Sequence, residues 1–169
     1  MARPGGQGDL VVLTIGAYGH DEQSFFRALV GADVDTFCDI RQRWGVRGSR
    51  YAFVNSKRLQ QSLAELGIRY VHLKSLAPTQ EVRAAQKEAD KAEGVAKRQR
   101  ESLHPEFAAA YRKECLENVT GAGVLASVPA DAKRVALFCV EELPSACHRS
   151  LAAEWLAGYA EAPIEHLVP

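Results

Sequence analysis

Glu141, Cys147, His148 and Arg149 lie within nine residues of one another and follow directly on an apolar run, Val135-Ala136-Leu137-Phe138-Cys139-Val140. These are the residue types that move protons, attack electrophiles and hold anions. The run suits a buried strand. Beyond Arg149, residues Leu151, Trp155 and Leu156 recur at helical spacing. The reading is strand, short polar connection, helix, and in an open α/β sheet that connection lies in the crevice at the carboxyl ends of the strands, where ligands bind. A helix start there offers free N–H groups and the positive end of the macrodipole to an anion. Arg149 could hold a phosphate or carboxylate through two parallel hydrogen bonds. The same helix start lowers a thiol's pKa, which would make Cys147 a nucleophile. Glu141, just past the strand, is placed as a general acid or base. The plainer alternative has Ser145 capping the helix, Cys147 packed inward, and Arg41 or Arg149 pairing with Glu141. A phosphatase-type C-x5-R loop is absent, because Cys139 is followed at that spacing by Ser145 and Cys147 by Ala153.

A second group belongs to the same edge. The run Asp9–Ile15 ends in Gly16-Ala17-Tyr18-Gly19-His20, and the run Val34–Ile40 ends in Asp39-Ile40-Arg41. Parallel strands joined by helical crossovers would bring both ends beside Glu141. The candidate catalytic residues are therefore Glu141, Asp39 and His20. The candidate anion- or substrate-binding residues are Gly16, Tyr18, Gly19, Arg41, Arg50, Cys147, His148 and Arg149. His148 and His166 also fit a structural role through hydrogen bonds. The turn after the first strand lacks G-x-G-x-x-G, so a dinucleotide fingerprint is not supported. No metal is assigned: the spacing of Cys139, Cys147 and His148 is not a usual zinc pattern, and Cys139 falls inside the strand. Asp39, Glu141 and a histidine would be the alternative ligand set. No cofactor is identifiable.

The elements that must position these groups alternate. Asp21 can cap a helix whose stripe is Phe25, Phe26, Leu29 and Val30. Asn55 or Ser56 can cap one through Leu59, Leu63 and Leu66, stopped by Gly67. Ile68–Leu73 is a third strand with Ile68, Tyr70 and His72 on one side. Gln80–Arg100 is a polar, charged helical excursion with a basic end, Lys97-Arg98-Gln99-Arg100. Pro105 starts a helix with Phe107, Tyr111, Cys115 and Leu116 on one face. Residues 120–129 read as a weak helix and turn, and 164–168 as a short closing strand. Between Arg41 and Arg58, six basic residues (Arg41, Arg43, Arg47, Arg50, Lys57, Arg58) occur with no acid and with Trp44, Tyr51 and Phe53 among them. That stretch could bind phosphates and stack on bases, or its aromatics could simply anchor a solvated loop.

Alternating strands and helices imply an α/β fold: one three-layer domain over residues 1–169, with a mostly parallel sheet flanked by helices. Residues 1–8 read as a disordered lead and 77–104 as a helical insertion or lid. With 169 residues, formal net charge zero and 47% hydrophobic residues, the chain has ample material for a core and no general affinity for polyanions. No run is long enough for a membrane span, and the N-terminus lacks the apolar centre of a signal peptide. The four cysteines contain no C-x-x-C pair and read as reduced cytosolic thiols. The oligomeric state is not legible.

Thr14-Ile15-Gly16 with Gly19-His20, Asp39-Ile40-Arg41, Ser49-Arg50 with Phe53, Leu66-Gly67-Ile68 with Tyr70, Cys139-Val140-Glu141 with Cys147-His148-Arg149, and His166-Leu167 together resemble the bacterial and archaeal DUF488 family. The resemblance implies a compact α/β domain with these motifs at one sheet edge, and it implies no activity. Two departures stand out. Ile40 replaces the more usual Val, and Leu76-Ala77-Pro78-Thr79 runs into the charged excursion where many members have a glycine-rich turn. The chain thus resembles a longer-insert branch. The function expected from the residues is a small cytosolic enzyme acting on a phosphorylated or nucleotide-like substrate. The alternative is a non-catalytic module binding nucleic acid or a nucleotide through the 41–58 loop.

Overall fold

The computed structural model describes residues 9–43, 45–94, 96 and 100–169. The lead at 1–8, Trp44 in the basic stretch, and Lys97, Arg98 and Gln99 at the basic end of the excursion lie outside the described residues.

The apolar runs ending at Gly16, Asp39 and Cys139 become strands buried on both faces, as a parallel sheet covered by helices requires, while the two edge strands are half-buried or partly exposed. β1 is Val11–Gly16, β2 Thr36–Asp39, β3 Arg69–His72, β4 Arg134–Cys139 and β5 Ile164–Leu167. All pairings are parallel, in the order β3-β2-β4-β1-β5. β4 is central, with Phe138 opposite Ile15 of β1 and Asp39 of β2. β2 is three residues shorter than its apolar run, lacking Val34, Asp35 and Ile40, and β3 two shorter, lacking Ile68 and Leu73.

The connections reverse direction. From β1 the chain passes over β4 to β2 and then to β3, and it returns across β2 to β4 and over β1 to β5. Right-handed crossovers then lay α1 (Glu22–Gly31) and α2 (Ser56–Glu65) on one face. The other face receives α3 (Gln80–Glu93), α4 (Pro105–Glu114), α5 (Gly121–Ala126) and α6 (His148–Ala160). On the first face Phe25 of α1 meets Phe37, Phe53 and Phe138 with ring centroids 6.2, 5.4 and 5.6 Å away. On the second, α6 packs against β1 and β4 and is itself flanked by α4 and α5. The reversal point lies between β1 and β4, and it is there that such sheets open a crevice at their carboxyl edge.

Helix stripes differ from expectation in detail. Val30 is 50% exposed and Leu66 is 44% exposed, since the buried residues of α1 and α2 are Phe25, Leu29, Leu59 and Leu63. α6 buries Ala152, Ala153, Leu156 and Ala157 rather than Leu151 and Trp155, and the small side chains let it lie close to the sheet. Asp21 caps α1 as expected: its carboxylate accepts from Ser24 N at 2.7 Å, and Ser24 Oγ accepts from Asp21 N at 3.0 Å.

The charged excursion is mostly solvated, but it is tied down. Val82 and Gln86 of α3 are buried. Gln86 donates to Asp90 at 2.7 Å and accepts from His104 N at 2.9 Å. The following strap meets the connection after β4, where Leu103 N donates to Ser145 O at 3.0 Å and Ser145 Oγ to Glu101 O at 2.6 Å. None of the described helices is long and apolar enough to cross a membrane.

Candidate functional site

The floor of the crevice is backbone against backbone. Past β1 the chain folds onto the end of β4, with Ala17 N and Tyr18 N donating to Val140 O at 3.1 and 2.9 Å. Gly16 lies so close that a Cβ there would sit 1.8 Å from Glu141 O. Gly19 takes φ +88°, in the left-handed region that suits glycine, and its N–H donates to Tyr51 Oη at 3.3 Å. Tyr18 is buried, with its ring 4.9 Å from that of Tyr51.

Among the described residues Arg149 is the largest fully buried side chain. Its Nη1 donates to Glu141 O at 2.5 Å and its Nη2 to Glu142 O at 3.0 Å. The guanidinium thus fixes the carbonyls of the connection. The plainer sequence alternative paired it with Glu141, and the bond is to that residue's carbonyl. The Glu141 carboxylate instead faces Arg100, with Oε1 3.7 Å from Nη1. Arg100 also donates to Ala146 O at 3.4 Å and forms a salt bridge with Asp90. Sequence reasoning placed Arg100 only in a basic run. Its one available signal was Asp90, an acid ten residues earlier on the same excursion.

Asp39 and Arg41 form a fork across a single intervening residue. Oδ1 accepts from Arg41 N and Nε at 3.1 and 2.9 Å, and Oδ2 from Arg41 Nη2 at 2.7 Å. Tyr70 adds a hydrogen bond to Oδ2 at 2.8 Å, and burial, then the Asp39 charge, push its phenol well above the ordinary value. Arg41 lies 4.7 Å over the Phe138 ring. Sequence reasoning read Tyr70 as a strand residue and missed it as Asp39's partner. Asp39 is fully buried and Arg41 nearly so, so removing one charge strands the other. Asp39→Asn is expected to lose about 3–5 kcal/mol in urea denaturation; a loss under about 1 kcal/mol would mean the fork is not holding this edge together.

Cys147 is the N-cap of α6, and no side chain caps it there; Ser145, expected in that role, bonds Glu101 instead. Cys147 Sγ is 3.8 Å from His148 Nδ1. His148 Nε2 donates to Ile40 O at 3.1 Å. Burial alone would raise the Cys147 thiol, but a hydrogen bond from Cys139 and the nearby Arg149 and His148 pull it well below its ordinary value. Cys38, deep in β2, lacks such neighbours, and burial drives it up. None of the four cysteines is in a disulfide, and all are buried.

His20 is 4% exposed, with Nδ1 3.0 Å from Ser24 Oγ and its ring edge-on to Phe25 at 5.9 Å. Burial lowers its pKa against the opposing charges of Asp21 and Glu142, and Arg149 lowers it further. A histidine whose folded pKa lies below its unfolded value is stable as the neutral form, and stability falls as pH drops through the unfolded value, near 6.5. NMR titration of the His20 ring is expected to show a midpoint below 6.5; a midpoint above that value would mean that burial does not dominate. His166 Nδ1 lies 2.7 Å from Thr14 Oγ1.

The sheet edge therefore gathers Gly16, Tyr18, Gly19, His20, Asp39, Arg41, Glu141, Cys147, His148 and Arg149. Arg50 is exposed, with Cζ 5.3 Å over the Tyr51 ring, and reaches the crevice only through that ring. Three buried nitrogens at this edge, His20 Nε2, Arg41 Nη1 and Arg149 Nε, have no hydrogen-bond partner among the described residues. An open groove elsewhere, between the end of α1, Arg134 and β5, is lined by His166 but by none of the candidate catalytic or anion-binding residues.

A family model described as "Domain of unknown function DUF488" matches residues 22–156. That span holds β2, the basic loop, the excursion and the whole Glu141–Arg149 connection. Neither the curated proteins nor the solved structures contain a match to the chain.

Proposed function

We propose, for a chain that belongs to the DUF488 family, that it is a small cytosolic enzyme acting on a phosphorylated or nucleotide-like substrate at the carboxyl edge of its parallel sheet. The observation that carries this reading is the trio of buried nitrogens, His20 Nε2, Arg41 Nη1 and Arg149 Nε, whose hydrogen-bonding capacity no described residue uses. Buried donors are normally satisfied; the two guanidinium nitrogens are donors in any state, and with the His20 proton on Nε2 three donors at this edge suit the oxygens of an anion. The uncapped start of α6 adds positive potential at the same edge.

The roles then divide by what each group already holds. Asp39 has both oxygens on Arg41 and Tyr70, which makes it the positioning partner of Arg41. Arg149 shapes the connection and adds its field. Glu141, at the end of β4, handles the proton. His20, held neutral by burial, donates to the substrate.

A thermal-shift and calorimetry panel of pyrophosphate, mononucleotides and sugar phosphates tests the reading. A ligand at 100 times its dissociation constant adds about 2.7 kcal/mol of stability. Glu141→Gln should keep that binding and lose turnover, while His20→Gln should weaken binding. Absence of any small-anion shift, or a shift indifferent to His20, would overturn it.

One observation favours the second reading, a nucleic-acid-binding module. Arg43, Arg47 and Arg50 are all exposed in a stretch without acids. If that loop binds polynucleotide, replacing the three with Gln should flatten the plot of log affinity against log salt by about 0.7–0.9 per lost phosphate contact. A slope unchanged by the triple replacement would exclude the loop.

A further inference from the structure

We infer that Cys139, Cys147 and His148 form a binding site for a zinc-type divalent ion, held by two thiolates and one imidazole nitrogen between the end of β4 and the start of α6. This goes beyond the anion-site reading and does not depend on it.

The three ligand atoms, Cys139 Sγ, Cys147 Sγ and one ring nitrogen of His148, all lie within 4.8 Å of one another, and all three residues are buried. A tetrahedral zinc with bonds of about 2.3 Å to sulfur and about 2.0 Å to nitrogen spaces its ligands roughly 3.5–3.8 Å apart. The Cys147 Sγ to His148 Nδ1 separation, 3.8 Å, is already at that spacing.

The histidine carries the second observation. Its Nε2 donates to Ile40 O at 3.1 Å, which keeps the proton on Nε2 and turns the Nδ1 lone pair toward Cys147. Metal-bound histidines are oriented in this way, with the far nitrogen donating to a backbone carbonyl. Cys38 and Cys115 are buried too, yet neither joins such a cluster among the described residues. Soft thiolates with imidazole select a zinc-type ion over magnesium or calcium.

No electron moves. Counted from two thiols, two S–H bonds break, two metal–sulfur bonds form, two protons leave to solvent and one dication enters, so the set stays neutral. Counted from the Cys147 thiolate that Arg149 and His148 favour, only the Cys139 S–H bond breaks, one proton leaves, and the set goes from one negative charge to neutral. Three protein ligands leave a fourth position for water or a substrate atom, the arrangement of catalytic zinc rather than of closed structural sites.

The test titrates Co²⁺ and Zn²⁺ into the full, reduced, chelator-stripped chain. The expected result is one ion per chain, with the sulfur-to-cobalt charge-transfer and visible bands of a tetrahedral thiolate site. Zinc should displace the cobalt. Cys139→Ser and Cys147→Ser should each weaken binding at least tenfold, His148→Ala should weaken it less, and Cys115→Ser should leave it unchanged. Should the serine variants fail to fold, X-ray absorption at the zinc edge of the wild-type chain decides, since the site requires two sulfurs and at least one nitrogen in the first shell. Sub-stoichiometric binding without charge transfer, a first shell lacking sulfur, or a spectrum surviving in the Cys139→Ser/Cys147→Ser double variant overturns the inference.

Discussion

Gly16→Ala is expected to cost about 3–5 kcal/mol, or to prevent folding at 37 °C, although it adds a single methyl group. The added carbon would meet Glu141 O at 1.8 Å, Glu141 C at 2.9 Å and Arg149 Nη1 at 3.0 Å. The first two are backbone atoms, and relief would require β1 and β4 to separate at the register where Gly16 faces Cys139. That movement would also break the Ala17 and Tyr18 bonds to Val140 O and pull Glu141 off Arg149. Gly31→Ala is the matched control, because a Cβ at Gly31 meets nothing within 4 Å; it should change stability by under about 1 kcal/mol. Urea denaturation of the two variants checks the claim. Equal midpoints would mean that the close approach at Gly16 is not a constraint.

Arg149→Ala should be nearly as damaging, again about 3–5 kcal/mol, for a different reason. Here no atom is crowded. The loss comes from a buried carbonyl, Glu141 O, and a partly buried one, Glu142 O, that the guanidinium bridges at 2.5 and 3.0 Å. Each unsatisfied buried acceptor costs roughly 1–3 kcal/mol, and the emptied volume adds to that. Arg149→Lys separates charge from shape. An ammonium keeps the charge but is a point donor on a flexible stem, and it does not reproduce the planar fork. Lysine should therefore recover part of the stability and leave the variant about 1–3 kcal/mol below wild type. If lysine restored it fully, the charge alone would matter and the bridging geometry would be incidental.

Both results bear on how much of this protein is written in its sequence. The apolar runs ending at Gly16, Asp39 and Cys139 were legible as strands, because burial on both faces of a parallel sheet demands continuous hydrophobicity. Asp21 was legible as a cap because its partner sits three residues away. The gathering of His20, Arg41, Glu141 and Arg149 at one edge followed from the rule that helical crossovers keep strands parallel, whatever their order. Arg43, Arg47 and Arg50 stay exposed while Tyr51 and Phe53 of the same stretch are buried and anchor it, which is the plainer of the two sequence readings of that loop.

Tertiary structure decided the rest. The order β3-β2-β4-β1-β5, with β4 at the centre, depends on which runs pack best against one another, and periodicity within a run says nothing of that. Arg149 read equally well as an anion ligand or as a partner of Glu141; the packing of α6 on the connection places its guanidinium against two carbonyls. Asp39 read as a catalytic carboxylate, yet its oxygens are held by Arg41 and by Tyr70, a residue 31 positions away. Arg100 reaches Glu141 only because Gln86, Leu103 and Ser145 fold the excursion back. Cys139, Cys147 and His148 carry no metal-binding spacing along the chain, and they converge because one residue ends a strand while two begin the helix packed against it. Sequence pattern records which face of its own element a side chain occupies. Which atom that side chain meets is set by distances between elements far apart in the chain, and those are fixed only when the whole core packs.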